Sequence, residues 1–106
     1  MEVIKLAEQP VAVNPRGVGV KHLISRRDVA VSNVILQPGQ NLPVHITPVD
    51  VFFYVIAGKG RVQIGDEAAE VEATDLIVSP AGIPHGLTAA ESSAFSVMVV
   101  KTPNPK

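Results

Sequence analysis

The chain of 106 residues contains no cysteine and no tryptophan, and its aromatic residues are three Phe and one Tyr. Without cysteine, a disulfide scaffold and a thiolate metal site are excluded. The scarcity of aromatic rings removes the stacking platforms on which single-stranded nucleic acids bind. The formal net charge is −1, so the chain also lacks the basic surface that nucleic acid requires. We therefore expect no nucleic-acid partner.

Long apolar runs are missing as well. No stretch approaches the ~20 apolar residues of a membrane helix. The first ten residues, MEVIKLAEQP, carry an early acidic residue and lack the apolar core of a signal peptide. We expect a cytoplasmic protein with no membrane partner.

The residues that are present describe one globular domain. Hydrophobic residues make up 46% of the chain and charged residues 18%, which is a composition that folds around a core. Neither a repeat nor a linker divides the chain. We therefore assign residues 1–106 to a single domain, with a core at about 18–101, an N-terminal segment at 1–17 and a polar tail at 102–106.

Nine prolines and eight glycines separate short stretches rich in β-branched residues. This punctuation is typical of a sandwich or barrel of short strands. The one window that favours a helix, residues 66–74, is short and interrupted by β-branched residues. We predict an all-β fold with almost no helix. The predicted strands are residues 18–24, 29–36, 44–47, 51–57, 61–64, 68–71, 76–79 and 94–101, with Gly58-Lys59-Gly60 ending the fourth.

The apolar strand at 51–57 is hydrophobic on both faces. Phe52, Tyr54 and Ile56 alternate with a second apolar set, whereas a strand with one wet face would alternate with polar residues. The outer face of a single barrel has nothing to pack against except the N-terminal segment or another subunit. We therefore predict a homodimer.

Two histidines follow turns rich in Pro and Gly. His45 comes after Pro38-Gly39, and His85 ends a loop that contains Pro80 and Pro84. In an all-β chain, two such approaches indicate that both imidazoles converge on one pocket. Thr47 shares the face of His45, since side chains alternate along a strand. The inward parity of the following strand adds apolar residues to the predicted pocket, namely Val51, Phe53 and Val55.

The order of these residues resembles a known family. The pattern consists of Gly39, His45, Gly58, Pro80, Gly82 and His85. It is similar to the two-part signature of the cupins, small β-barrels of the jelly-roll or double-stranded β-helix type. The resemblance covers about residues 29–100. It implies a small-molecule ligand and one divalent metal ion (Zn, Mn, Fe or Ni) held by His45 and His85.

The chain departs from the metal-binding members of that family at two ligand positions. Thr47 stands where they carry a second His, and Val51 stands where they carry a Glu. Asp50 has the opposite parity to Val51, and only the break at Pro48 could turn it towards the metal. His22 lies on an apolar strand face and is the other secondary candidate for a ligand. The alternative roles are a turn residue for Asp50 and a core histidine for His22.

The second half of the signature differs at its start, because Thr74 occupies the position where the family has Gly.

Three functional interpretations remain open. The first is a small-molecule-binding cupin of unassigned activity. The second is an enzyme, either a metal-dependent oxygenase or isomerase, or a metal-free isomerase similar to the sugar epimerases with a His as general base. The third is a ligand-sensing module, which ranks last because such modules are normally fused to a DNA-binding domain and we expect none here.

Overall fold

The computed structural model describes residues 1–106, which form nine strands and one turn of 3₁₀ helix at Leu6–Glu8. The strands are β1 (Ala12–Val13), β2 (Gly19–Arg26), β3 (Val29–Leu36), β4 (Asn41–His45), β5 (Asp50–Ile64), β6 (Glu67–Glu72), β7 (Leu76–Ser79), β8 (His85–Ala89) and β9 (Phe95–Thr102). The predicted all-β barrel with almost no helix is confirmed. The single helical turn has three residues, so the structure contains no helix that could span a membrane.

All strand pairs are antiparallel, and they form two sheets that share β5. The first half of β5 pairs with β9 and β7, and the larger sheet continues from β9 through β3 and β2 to β1. The second half of β5 pairs with β6 and β8, and β4 closes this smaller sheet. The two sheets therefore face each other around a common interior, as in a jelly roll.

The prediction that Gly58-Lys59-Gly60 ends a strand was wrong. β5 runs without interruption through these residues, because a bulge between Val55 and Ala57 bends the strand instead of stopping it. Gly58 has φ +85°, and a Cβ at this position would overlap the carbonyl oxygen of Ala94. The glycine therefore permits the bend and the close approach of the neighbouring chain.

The hydrophobic core lies between the inward faces of the two sheets. Alternation places Val51, Phe53 and Val55 on this face, where the last two pair with Val99 and Val97 of β9. The core contains twelve buried residues: Val18, Val34, Leu36, Val51, Phe53, Val55, Val62, Leu87, Ala89, Phe95, Val97 and Val99.

The outer face of β5 stays open in the single chain. Phe52 is 36% exposed and Tyr54 39% exposed, and they pair with the exposed Val78 and Leu76 of β7. The N-terminal segment packs elsewhere, since the Lys21 ammonium of β2 donates a hydrogen bond to the carbonyl of Leu6. The N-terminal segment therefore lies near β2 and does not cover the outer face of β5.

The turn between β6 and β7 contains the one non-glycine residue with positive φ. Thr74 has φ 77°, and its N–H donates a hydrogen bond to the carbonyl of Val55 at 2.8 Å. A β-branched residue is disfavoured in this conformation by roughly 1–2 kcal/mol. A positive φ favours glycine at this position, which is the residue that the cupin signature has there.

We predict that Thr74→Gly raises the melting temperature by several degrees, because about 1 kcal/mol of backbone strain is relieved in a domain of this size. Thermal unfolding followed by circular dichroism measures the effect. The matched control is Ala73→Gly, an exposed neighbour without positive φ, which is expected to lower the melting temperature. Equal or lower stability of Thr74→Gly would contradict the prediction.

Candidate functional site

His85 is the first residue of β8, and the preceding loop determines where its ring enters the barrel. Within the loop the N–H of Ile83 donates to the carbonyl of Pro80, and the N–H of Gly82 donates to the carbonyl of Thr47 at 3.0 Å. Gly82 has φ +77°, a conformation that glycine adopts freely. His85 then pairs with His45 on one side and with Ile64 of β5 on the other. Directly opposed residues of an antiparallel pair point to the same face, so these three side chains form one inward row.

Both ring nitrogens of His85 are hydrogen-bonded inside the protein. The Ser79 hydroxyl lies 2.7 Å from Nδ1, and the Thr47 hydroxyl lies 3.3 Å from Nε2. Ser79 is 0% exposed and His85 is 3% exposed. The ring is therefore held by two hydroxyl groups in a dry environment.

The hydrogen-bond partners of Ser79, His85 and Thr47 determine which atom carries each proton. Ser79 is fully buried, and its hydroxyl group has no hydrogen-bond partner other than the His85 ring. A buried hydroxyl proton needs an acceptor, so the Ser79 hydroxyl donates to Nδ1 of His85. A neutral ring then carries its proton on Nε2 and donates it to the Thr47 oxygen. The hydroxyl proton of Thr47 is left over and available to a ligand.

The charge state of His85 is determined mainly by its surroundings. Burial, together with the positive charges of His45 and Lys101, lowers the pKa of His85 from 6.5 to about 4. The ring is therefore neutral near pH 7, as the hydrogen-bonding scheme requires.

His45 lies at the exposed end of β4, next to the His85 ring. Its Nδ1 is 2.9 Å from the carbonyl oxygen of Pro43, and because a carbonyl only accepts, Nδ1 donates. The Nε2 of the neutral ring is then free to accept a proton or a hydrogen bond. The two imidazoles meet edge to face with centroids 4.6 Å apart, and Phe53 packs edge to face on His85 at 5.1 Å.

The structure brings together four of the predicted site residues, His45, His85, Thr47 and Phe53. Val51 and Val55 are fully buried and support them from the core.

The two secondary ligand candidates lie outside this cluster. Asp50 accepts a hydrogen bond from the backbone N–H of Ala81 at 2.9 Å, so its carboxylate secures the loop before His85. His22 is exposed on β2, in a separate groove beside Ser32 and Lys101.

The donor set does not fit a tightly held metal ion. No group of three or more His, Cys, Asp or Glu side chains lies close enough to share one. A stable site usually has three or four protein ligands, whereas here two imidazoles are available and both nitrogens of one already make hydrogen bonds. We therefore derive no chemistry through a metal.

Sequence reasoning missed two features of the site. Ser79 was not singled out, although it is a polar residue at the inward parity of β7, two positions after Ile77. A cavity of about 690 Å³ was also missed. It lies between β6 and β7 and is lined mostly by aliphatic side chains, among them Val62, Ile64, Ile77 and Ile83. It reaches the histidine row at Ile64.

Comparison with known proteins agrees with the geometry. The family model for the cupin domain matches residues 32–101, more than half of the chain. The chain belongs to the cupin family. No curated protein matches it.

Solved cupin-like structures superpose on nearly the whole chain. A protein of Thermus thermophilus is 27% identical with a TM-score of 0.85, covering 97% of this chain and 98% of that one. A conserved Streptococcus pyogenes protein of unknown function is 30% identical with a TM-score of 0.76, covering 95% and 86%. The polyketide cyclase RemF of Streptomyces resistomycificus is 18% identical with a TM-score of 0.86, covering 96% and 79%. The last likeness shows the fold alone.

We predict that His85 makes the stability of this cupin pH-dependent. Its pKa is about 4 in the folded state and 6.5 in the unfolded chain, so the unfolded chain binds more protons between these values. The contribution is fully present above pH 6.5 and is lost as the pH falls towards 4, by roughly 3 kcal/mol in total.

Urea unfolding at pH 7 and pH 4 measures this loss. The His85→Gln variant lacks the titrating ring, so its stability is expected to fall less than that of the wild type, while His22→Gln behaves like the wild type. Carboxylates contribute equally to all three proteins and cancel in the comparison. Parallel losses in wild type and His85→Gln would refute the assignment.

Proposed function

We propose that this cupin binds a small hydroxyl-bearing molecule at the barrel mouth through His45 and Thr47, with His85 as the buried support of Thr47. The observation that carries the proposal is the hydrogen-bonded series Ser79–His85–Thr47 next to an exposed imidazole. The Thr47 hydroxyl donates, and the free Nε2 of His45 accepts. One hydroxyl group of a ligand satisfies both, because it accepts and donates at the same time.

The apolar surroundings strengthen these hydrogen bonds. Phe53 and the core valines exclude water behind the His85 ring, and hydrogen bonds are stronger in such an environment than in water. The aliphatic cavity that reaches the row at Ile64 offers apolar surface for the rest of a ligand. An apolar pocket with few convergent polar groups is the usual form of a small-molecule site.

Binding is the function that these groups support best, and catalysis is the second candidate. The free Nε2 of His45 favours the metal-free form, in which this ring accepts a proton from the bound hydroxyl as a general base. Such a reaction would also need a general acid next to His45. Tyr54 does not supply it, because it lies on the outer face of β5. The relationship to the polyketide cyclase is too distant to assign its activity.

We predict that simple hydroxyl compounds bind at this site. Saturation-transfer NMR with a panel of sugars and other uncharged hydroxyl compounds is expected to yield binders whose signal is lost in both His45→Ala and Thr47→Val. His22→Ala, which removes a histidine outside the cluster, is the matched control and retains them. Binders that are insensitive to both site variants would exclude the proposed site.

We further propose that His45 and His85 hold a divalent metal only weakly, because His85 can coordinate it through Nε2 only by giving up its hydrogen bond to Thr47. Thr47→His restores the second histidine of the metal-binding cupins, so we expect it to bind zinc at least about tenfold more tightly than the wild type. Isothermal titration calorimetry measures both affinities. His45→Ala in the Thr47→His background is the control and is expected to reverse the gain. Equal affinities of wild type and Thr47→His would mean that the native ligand set is already complete.

We propose that the outer face of β5 and β7 forms a homodimer interface. Phe52, Tyr54, Leu76 and Val78 are exposed on adjacent strands, and an apolar patch of this kind marks an interaction site. Light scattering at micromolar concentration is expected to give twice the chain mass of 11.2 kDa. Tyr54→Glu is expected to give the chain mass, because it places a charge in the apolar contact. A monomeric wild type would contradict this interface.

A further inference from the structure

A groove at the end of the larger sheet contains a lysine without a counter-ion. Lys101 is half-buried and ends the inward-facing row of β9, after Val97 and Val99. Its register partners are Ala30 of β3 and the fully buried Val51 of β5. A cation in such a position is normally paired, because burial without a partner costs free energy.

Nothing in the protein neutralises this ammonium group. The only salt bridge of the chain joins Arg61 to Glu70, and the side chain of Lys101 makes no hydrogen bond. The other half-buried lysine, Lys21, behaves differently, since its ammonium donates to the carbonyl of Leu6 at 2.8 Å. The two half-buried lysines therefore differ, since Lys21 is hydrogen-bonded within the chain and Lys101 has no such partner.

The surroundings of Lys101 supply further donors and no acidic side chain. His22 and Ser32 are direct partners across β2 and β3, and both line the groove with Lys101. The Ser32 hydroxyl makes no hydrogen bond within the protein. Asn104 of the C-terminal tail closes one side, held by hydrogen bonds to the Ser25 hydroxyl and the Arg27 carbonyl.

The groove has the size of a small-molecule site. Its volume is about 300 Å³, no Asp or Glu side chain lines it, and a second lysine, Lys106, is among its lining residues. We propose that it binds the carboxylate or phosphate group of a small anion, with Lys101 as the counter-ion and His22 and Ser32 as hydrogen-bond donors. The groove shares no residue with the His45–Thr47–His85 cluster, so this inference does not depend on the proposed function.

The ligand chemistry follows from the donors. An ammonium group pairs with either oxyanion as a point charge, while a hydroxyl and an imidazole N–H donate to the remaining oxygens. Carboxylates and phosphates share this requirement. The experiment therefore treats them as separate arms.

Titration of the ¹⁵N-labelled protein with sodium acetate and with inorganic phosphate tests the inference, at ionic strength held constant with chloride. We expect one or both anions to give saturable shifts of the backbone signals of His22, Ser32 and Lys101. Saturation by acetate alone identifies a carboxylate ligand, and tighter binding of phosphate identifies a phosphate ester.

Three variants connect the binding to the groove. Lys101→Met keeps the apolar stem and removes the charge, so it is expected to weaken the binding at least about tenfold. Lys101→Arg keeps the charge and is expected to bind within a few-fold of the wild type, which controls for damage to the fold. Lys59→Met removes an exposed lysine elsewhere and is expected to change nothing. The inference fails if neither anion saturates, or if Lys101→Met binds as tightly as the wild type.

Discussion

The hydrogen bond between the Ser79 hydroxyl and Nδ1 of His85, 2.7 Å long and fully buried, is the interaction on which the site depends. It joins the end of β7 to the start of β8 and so orients the ring at the close of the intervening loop. Because Ser79 has no other partner, it also determines which nitrogen of His85 carries the proton. The protonated Nε2 of His85 donates a hydrogen bond to the Thr47 hydroxyl oxygen. This bond orients the Thr47 hydroxyl group.

This arrangement gives the cupin framework a chemistry different from that of its metal-binding members. Where they place an imidazole and a carboxylate, this chain has the hydroxyl of Thr47 and the buried methyl groups of Val51. The remaining histidines then differ in role. His85 is a neutral structural donor whose low pKa follows first from burial, and His45 is the exposed ring with a free nitrogen. The proposed recognition of a ligand therefore relies on hydrogen bonds from Thr47 and His45 and not on a metal ion.

Alternation and turn residues were sufficient to predict the barrel and the approach of His45 to His85, because both depend on local parity and on glycine or proline turns. The continuation of β5 through Gly58 could not be predicted. Gly58 is needed because the Ala94 carbonyl, distant in sequence, approaches the backbone closely, and this contact is not visible in the sequence. Ser79 was missed for a related reason: a single serine in a strand becomes informative only when its buried partner is known. His22 was expected on an apolar face and is exposed, because the burial of a strand residue depends on which distant segments cover it.

The protonation of the His85 ring tests the account most directly. Long-range ¹H–¹⁵N correlation spectra at pH 7 distinguish the two neutral tautomers and the charged ring. The account predicts a neutral His85 with its proton on Nε2, and a mixture of tautomers in Ser79→Ala. A charged ring, or a proton on Nδ1 in the wild type, would contradict it, because Thr47 would then not be supported as a donor.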